Sequence, residues 1–145
     1  MWLELISPYL ITIFIAWFGA HVVKYIVSLI KKEKRRFGSH LFVSGGMPSS
    51  HSTTVVAMVT IIGLRDYINS GLFGLSVLFA LIVMYDAIKV RRSSGEQGIA
   101  IHELIKEQKS EVKLPRVAKG HTPLEVAIGA LLGVLIGVIV FLSTK

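Results

Sequence analysis

The sequence predicts an all-α integral membrane bundle of about four transmembrane helices. Its 145 residues are 52% hydrophobic and only 17% charged, which is typical of a membrane protein. Four apolar runs, at about 5–30, 49–67, 72–88 and 122–142, are long enough to cross a bilayer. The charged residues collect between those runs. We therefore expect a single transmembrane domain over 1–145, and the absence of cysteine excludes disulfides and thiol chemistry.

The first run carries two polar residues in its second half and ends in a charged block. His21 and Lys24 are three residues apart, so they share one helix face. The segment 31–36 that follows holds five of the basic residues. The second run begins in the stretch Pro48–Ser52, and Pro48 suits the first turn of a helix because its missing N–H costs nothing there.

The third run ends with an acidic residue inside its apolar part. This residue is Asp86. Burying a carboxylate at such a depth costs free energy, so it usually has an ionic partner or a functional role, and Lys24 is the partner we expect. Beyond it, the segment 89–119 is polar and is predicted to lie in the cytoplasm, with helical charge spacing from 96 to 111. The fourth run begins at Thr122.

The first candidate motif is Gly45–Ser52, directly ahead of the second run. Its glycines permit unusual backbone conformations, and a helix N-terminus presents free N–H groups that suit a phosphate. We expect Gly46, Ser49 and Ser50 to contact the phosphate, with His51 as a proton carrier near neutral pH. The alternative is a simple turn and cap before a membrane helix.

The second candidate motif closes the third run. Arg91 and Arg92 present planar guanidinium groups that match phosphate oxygens in pairs, so both are expected to bind the phosphate. The alternative is that these charges only stop the helix at the membrane surface, and for Lys89 this alternative is favoured.

The third candidate motif opens the fourth run. His121 and Glu125 are four residues apart and share a helix face, so the carboxylate can fix one imidazole nitrogen and leave the other free to react. A ridge of small residues continues at the same spacing, in Gly129, Gly133 and Gly137. The alternative is a histidine that is merely hydrogen-bonded near a helix cap.

Together the three motifs resemble the divergent branch of the type 2 phosphatidic acid phosphatases, whose superfamily includes the vanadium haloperoxidases. Pro48-Ser49-Ser50-His51 matches the family's Pro-Ser-Gly-His block, with serine in place of glycine. His121 and Glu125 match a histidine followed four residues later by aspartate. The resemblance implies that His121 attacks phosphorus and forms a phosphohistidine, that Glu125 orients it, and that His51 protonates the leaving alcohol.

Two features depart from the family pattern. The family's first block is a lysine followed later by Arg-Pro; here Lys24 stands for the lysine, and Arg35 or Arg36 is the candidate for the second charge. The usual fold has six helices, so either the core is trimmed here or a homodimer completes it.

The predicted function is a lipid-phosphate phosphatase acting on a phosphomonoester of the phosphatidylglycerophosphate or phosphatidic acid type. Its partners are the phosphorylated lipid and the bilayer, without nucleic acid, and it is expected to need no metal or other cofactor. The alternatives are a polyprenyl (pyro)phosphate phosphatase, a non-catalytic carrier or flippase of phosphorylated lipids, and a structural protein that uses the glycine ridge for assembly. A vanadate-dependent oxidase is a weaker alternative.

The distribution of positive charge predicts the side of the cell membrane on which the motifs lie. Basic residues crowd the segments after the first and third runs, whereas the other side has only Arg65 and Lys145. Because positive residues collect on the cytoplasmic side of short loops, both termini are expected outside and all three motifs at the cytoplasmic face. That orientation favours substrates made on the inner leaflet.

Overall fold

The computed structural model describes residues 7–31, 45–114, 117 and 119–145, and these residues form helices and no strands. The helices are α1 (Pro8–Ile30), α2 (Ser50–Arg65), α3 (Gly71–Tyr85), a π turn (Asp86–Val90), α4 (Arg91–Glu107) and α5 (Pro123–Ser143). The predicted all-α bundle is thus confirmed. Arg35 and Arg36, proposed above as the second charge of the first block, lie outside the described residues.

Three helices in the described part of the chain are long and apolar enough to cross a membrane. They are α1, the continuous helix Gly71–Glu107, and α5. The third apolar run does not end in a loop near residue 88 but continues through the π turn into α4, which covers much of the charged segment 96–111. The second apolar run forms α2, whose 16 residues make it shorter than α1, the continuous helix Gly71–Glu107 and α5.

The core of the bundle lies where α2 packs against α1 and α5. Ala16, Ala57, Ile61, Ile136 and Val140 form its buried apolar cluster. Helix α5 approaches α2 closely because glycines face it: a methyl group on Gly129 would lie 2.6 Å from the carbonyl oxygen of Ser49. The predicted small-residue ridge is therefore the α2–α5 interface.

Contacts at the two ends of the bundle show how the helices are aligned. At one end Tyr9 donates a hydrogen bond of 2.6 Å to Asp66, and the Arg65 guanidinium donates to Oγ1 of Thr144 at 2.8 Å. We call this the opposite end, because it lies across the bundle from the end at which the motif residues meet. There the backbone N–H of His121 donates to the carbonyl of Ala87 at 3.0 Å, and that of Ser49 donates to the carbonyl of Glu125 at 3.1 Å. We call this the site end.

Candidate active site

The N-terminus of α5 holds the histidine–carboxylate pair. Thr122 is the N-cap and forms a capping box with Glu125, in which each side chain accepts from the other residue's backbone N–H. Oε2 of Glu125 lies 3.0 Å from the amide nitrogen of Thr122 and 3.1 Å from Nδ1 of His121. One carboxylate oxygen therefore both caps the helix and orients the imidazole. With Nδ1 turned toward Glu125, Nε2 is the nitrogen available to a substrate.

The His121 imidazole is almost fully buried, with 4% of its side chain exposed. Burial lowers the pKa of His121 below its ordinary value, because the charged form loses solvation. The hydrogen bond that Nδ1 donates to Glu125 raises the pKa of His121 again in part, and the charges of Lys24 and Arg91 lower it. The balance favours a neutral imidazole at neutral pH, the form that can act as a nucleophile.

The π turn positions the end of α3 against His121. Its Ala87 carbonyl accepts from the His121 backbone, and Gly120 packs so closely on the backbone of Arg92 that a methyl group there would overlap it. Nε of Arg91 donates to Oδ2 of Asp86 at 2.6 Å. The expected partner of Asp86 was Lys24, so that prediction is wrong: Asp86 pairs with Arg91.

The geometry of the π turn explains this pairing. Residues five apart point about 140° away from each other on a regular α-helix, whereas a π turn joins residues i and i+5 by a hydrogen bond. The backbone N–H of Arg91 donates to the carbonyl of Asp86 in this way, which brings the two side chains to the same side of the helix.

Lys24 lies buried on α1, with 6% of its surface exposed. Within the part of the chain that the structure describes, its ammonium interacts electrostatically with Glu125. Gly46 lies against its aliphatic stem, since a methyl group on Gly46 would be 3.9 Å from Cδ of Lys24. Lys24 therefore lies buried near the histidine–glutamate pair at the start of α5.

The glycine-rich motif leads directly into the start of α2. Gly45 and Gly46 both adopt positive φ, at 98° and 86°, a conformation that favours glycine. Ser49 is fully buried and is the N-cap of α2, with its hydroxyl accepting from the Ser52 amide at 3.4 Å. Its own N–H donates to Glu125, so its groups serve the α2–α5 junction.

The remaining residues of this motif lie in the first turn of α2. Ser50 is buried, whereas His51 is exposed. Their amides belong to the turn whose N–H groups have no acceptor within the helix. His51 interacts electrostatically with Arg91, His121 and Lys24. The structure therefore brings the two motif histidines to the same end of the bundle.

The two arginines of the third motif differ in their surroundings. Arg91 interacts with both His51 and His121. Arg92 instead pairs with Glu96 at 3.1 Å on the outside of α4, with about half of its side chain exposed. Among the predicted phosphate ligands, the structure thus gathers Lys24, Gly46, Ser50 and Arg91, and turns the Arg92 side chain elsewhere.

The fold and the site define a helical membrane protein with a buried histidine–glutamate pair and cationic residues at one end of its bundle. The sequence matches the model of the Divergent PAP2 family over residues 5–136, and the chain belongs to that family. It is 36% identical over 132 residues to the "Uncharacterized membrane protein YuiD" of Bacillus subtilis (strain 168), covering 81% of this chain and 83% of the relative. No solved structure gives a significant match.

Family membership confirms the resemblance predicted from the three motifs, and it makes this chain a phosphatase-related membrane protein. The roles of individual residues, the substrate and the side of the membrane that carries the site stay predictions.

Proposed function

We propose that this chain is a membrane lipid phosphatase that hydrolyses a phosphomonoester through a phosphohistidine on His121. The observation that carries the proposal is the 3.1 Å contact between Nδ1 of His121 and Oε2 of Glu125. That contact presents Nε2 as the nucleophile, and Lys24 and Arg91 supply positive charge beside it. Stabilising the charge that develops on the phosphoryl oxygens is the largest task in such a reaction.

The reaction has two steps. In the first, Nε2 of His121 forms a bond to phosphorus, the bond between phosphorus and the ester oxygen breaks, and His51 gives its proton to the leaving alcohol. In the second, His51 takes a proton from water, the water oxygen attacks phosphorus, and the bond to His121 breaks to release inorganic phosphate. Glu125 stabilises the imidazole in both steps by holding the proton at Nδ1.

The substrate favoured by this proposal is phosphatidylglycerophosphate or phosphatidic acid, with a polyprenyl (pyro)phosphate as the alternative. The test is phosphate release by purified protein from each of these lipids in mixed micelles. We expect wild-type turnover, none in His121→Ala, full activity in the presence of a chelator, and inhibition by vanadate, which mimics the five-coordinate phosphoryl state. Binding of these lipids without any phosphate release would indicate a carrier and overturn the proposal.

The role of His51 has a separate test. Acid catalysis matters most for alkoxide leaving groups, so His51→Ala should strongly impair hydrolysis of alkyl phosphates and largely spare p-nitrophenyl phosphate. Equal losses on both substrates would argue against His51 as the acid.

The role of the arginines is tested by a matched pair of substitutions. Lysine cannot reproduce the paired contacts of a guanidinium, so Arg91→Lys should raise KM by about tenfold or more. Arg92→Lys, one position along the same helix, should change KM little, because Arg92 pairs with Glu96. Equal effects of the two substitutions would contradict the assignment of the phosphate contact to Arg91.

A further inference from the structure

A groove with an apolar lining runs between α1, α2 and α3 on the membrane-embedded part of the bundle. Its volume is ≈ 270 Å³, and its walls include Ile13 of α1, Val55, Met58 and Ile62 of α2, and Ser76 and Phe79 of α3. The mechanism described above uses none of these residues.

Two hydroxyl groups in the groove are turned to their own helices. Oγ1 of Thr54 donates to the carbonyl of Ser50 at 2.9 Å, and Oγ of Ser76 donates to the carbonyl of Phe73 at 2.8 Å. With these donors satisfied, the polar residues add no demand for water or for a polar ligand. The groove therefore suits a hydrocarbon chain.

The groove and the proposed general acid share a face of α2. Val55, Met58 and Ile62 follow His51 at intervals of four, seven and eleven residues, which are the spacings of one helix face. At 1.5 Å per residue, Ile62 lies about 16 Å along the axis from His51. Thr54 and Val55, the groove residues nearest His51 along α2, lie about one helical turn beyond it, and the groove continues from there along the same helix face.

We infer that this groove holds one hydrocarbon chain of the substrate, so that the protein selects phosphomonoesters with long-chain leaving groups. The inference rests on the proposed function, in which His51 protonates the leaving alcohol. That alcohol carries the chains, and its ester oxygen must lie at His51, so a chain that extends from it enters the groove on the same face. A chain seated there is removed from contact with other lipids and gains packing contacts with three helices.

The protein offers a matched control for a test of this groove. A second groove of ≈ 260 Å³ lies between α1 and α5, is lined in part by Ile136 and Ile139, and reaches Ser143 and Thr144 at the opposite end. Ser143, like Ser76, donates its hydroxyl to a carbonyl of its own helix, that of Ile139 at 2.8 Å. Ser76→Phe and Ser143→Phe therefore make the same chemical change in grooves of similar size, one on the His51 face of α2 and one that reaches the opposite end.

The experiment compares kcat/KM for dipalmitoyl and dioctanoyl phosphatidic acid at equal surface concentration in mixed micelles, with p-nitrophenyl phosphate as a soluble substrate. Wild type should prefer the long chains. Ser76→Phe should reduce that preference about tenfold, the effect of losing the burial of roughly two methylene groups, and should leave hydrolysis of the soluble substrate unchanged. Ser143→Phe should match wild type on all three substrates.

The other outcomes separate this inference from the proposed function. Turnover of all substrates with an unchanged chain-length preference in Ser76→Phe overturns the groove and leaves the phosphatase assignment intact. An equal loss of preference in Ser143→Phe also overturns it. If Ser76→Phe does not fold, the smaller Ser76→Leu is read by the same criteria. Absence of phosphate release by folded wild-type protein overturns both proposals.

Discussion

Glu125 both caps a helix and orients the buried imidazole of His121. Its Oε2 faces both the Thr122 amide and Nδ1 of His121. The Thr-x-x-Glu signature of a capping box is visible in the sequence at Thr122, although the spacing of Glu125 from His121 predicted only the histidine–carboxylate pair. The signal that could have revealed the double role was therefore present.

Substitutions can separate the two roles of Glu125. Glutamine still accepts from the Thr122 amide, so Glu125→Gln should leave stability nearly unchanged, while the loss of the charge that stabilises the His121 imidazolium should lower kcat by about a hundredfold or more. Thr122→Ala should do the reverse, costing about 1 kcal/mol of stability with kcat retained in the folded protein. Thermal unfolding in detergent and steady-state phosphate release measure the two effects.

The pH dependence of turnover tests the state of His121. Burial lowers the pKa of His121, so the imidazole remains neutral at a pH where an ordinary histidine is half protonated. As the pH falls, kcat/KM should therefore decline only below the ordinary value of 6.5. Glu125→Gln removes a group that raises this pKa, so its acidic limb should move to still lower pH. An acidic limb above 6.5 in the wild type would contradict a buried neutral nucleophile.

At the scale of helices, close approach of α5 to α2 depends on glycine. A methyl group on Gly129 would lie 2.6 Å from the carbonyl oxygen of Ser49, whereas one on Gly74 of α3 would meet nothing within 4 Å. Gly129→Ala should destabilise the protein by about 1–3 kcal/mol, because overpacking separates the helices. It should also reduce activity, since Ser49 and Glu125 are joined there.

The matched substitution Gly74→Ala should be neutral or slightly stabilising, because alanine is the better helix former and its methyl group has space. Thermal unfolding of both variants in the same detergent measures the difference. Equal stability of the two variants would show that the α2–α5 contact is looser than described.

The helices themselves could be predicted from the sequence within a few residues, because bilayer thickness imposes long apolar runs. The junction at the end of α3 could not. A π turn differs from an α-helical turn by the choice of one hydrogen-bond acceptor, and no residue type in Asp86–Val90 demands it. Because the turn changes which side chains share a face, the pairing of Asp86 with Arg91 could not be foreseen either.

For the whole molecule, the order of apolar runs and motifs in the sequence predicted that the motifs meet at one end. The structure brings Lys24, Ser49, Ala87 and His121 together there. That convergence follows because successive apolar runs cross the bilayer in alternating directions. Which acceptor each hydrogen-bond donor would find was not predictable, because it depends on packing. The amide of Ser49 donates to the carbonyl of Glu125, and Arg92 pairs with Glu96.

The orientation of the bundle in the cell membrane is tested by single cysteines at Ser39, Ser94 and Ser143. Positive charge after the first and third apolar runs predicts a cytoplasmic site end. An impermeant thiol reagent on intact cells should therefore label only Ser143→Cys, and permeabilised cells should show labelling of all three. Labelling of Ser39→Cys or Ser94→Cys in intact cells would invert the orientation and favour polyprenyl substrates.

Hydrogen exchange at the Thr122 amide can report on the contact between Glu125 and His121. This amide can exchange with solvent only when its bond to Glu125 opens, and the same opening releases His121, because one oxygen holds both. The exchange rate of this amide in deuterated buffer therefore reports how often the His121 imidazole loses its orientation. A bound phosphate analogue that holds the imidazole in place should slow that exchange.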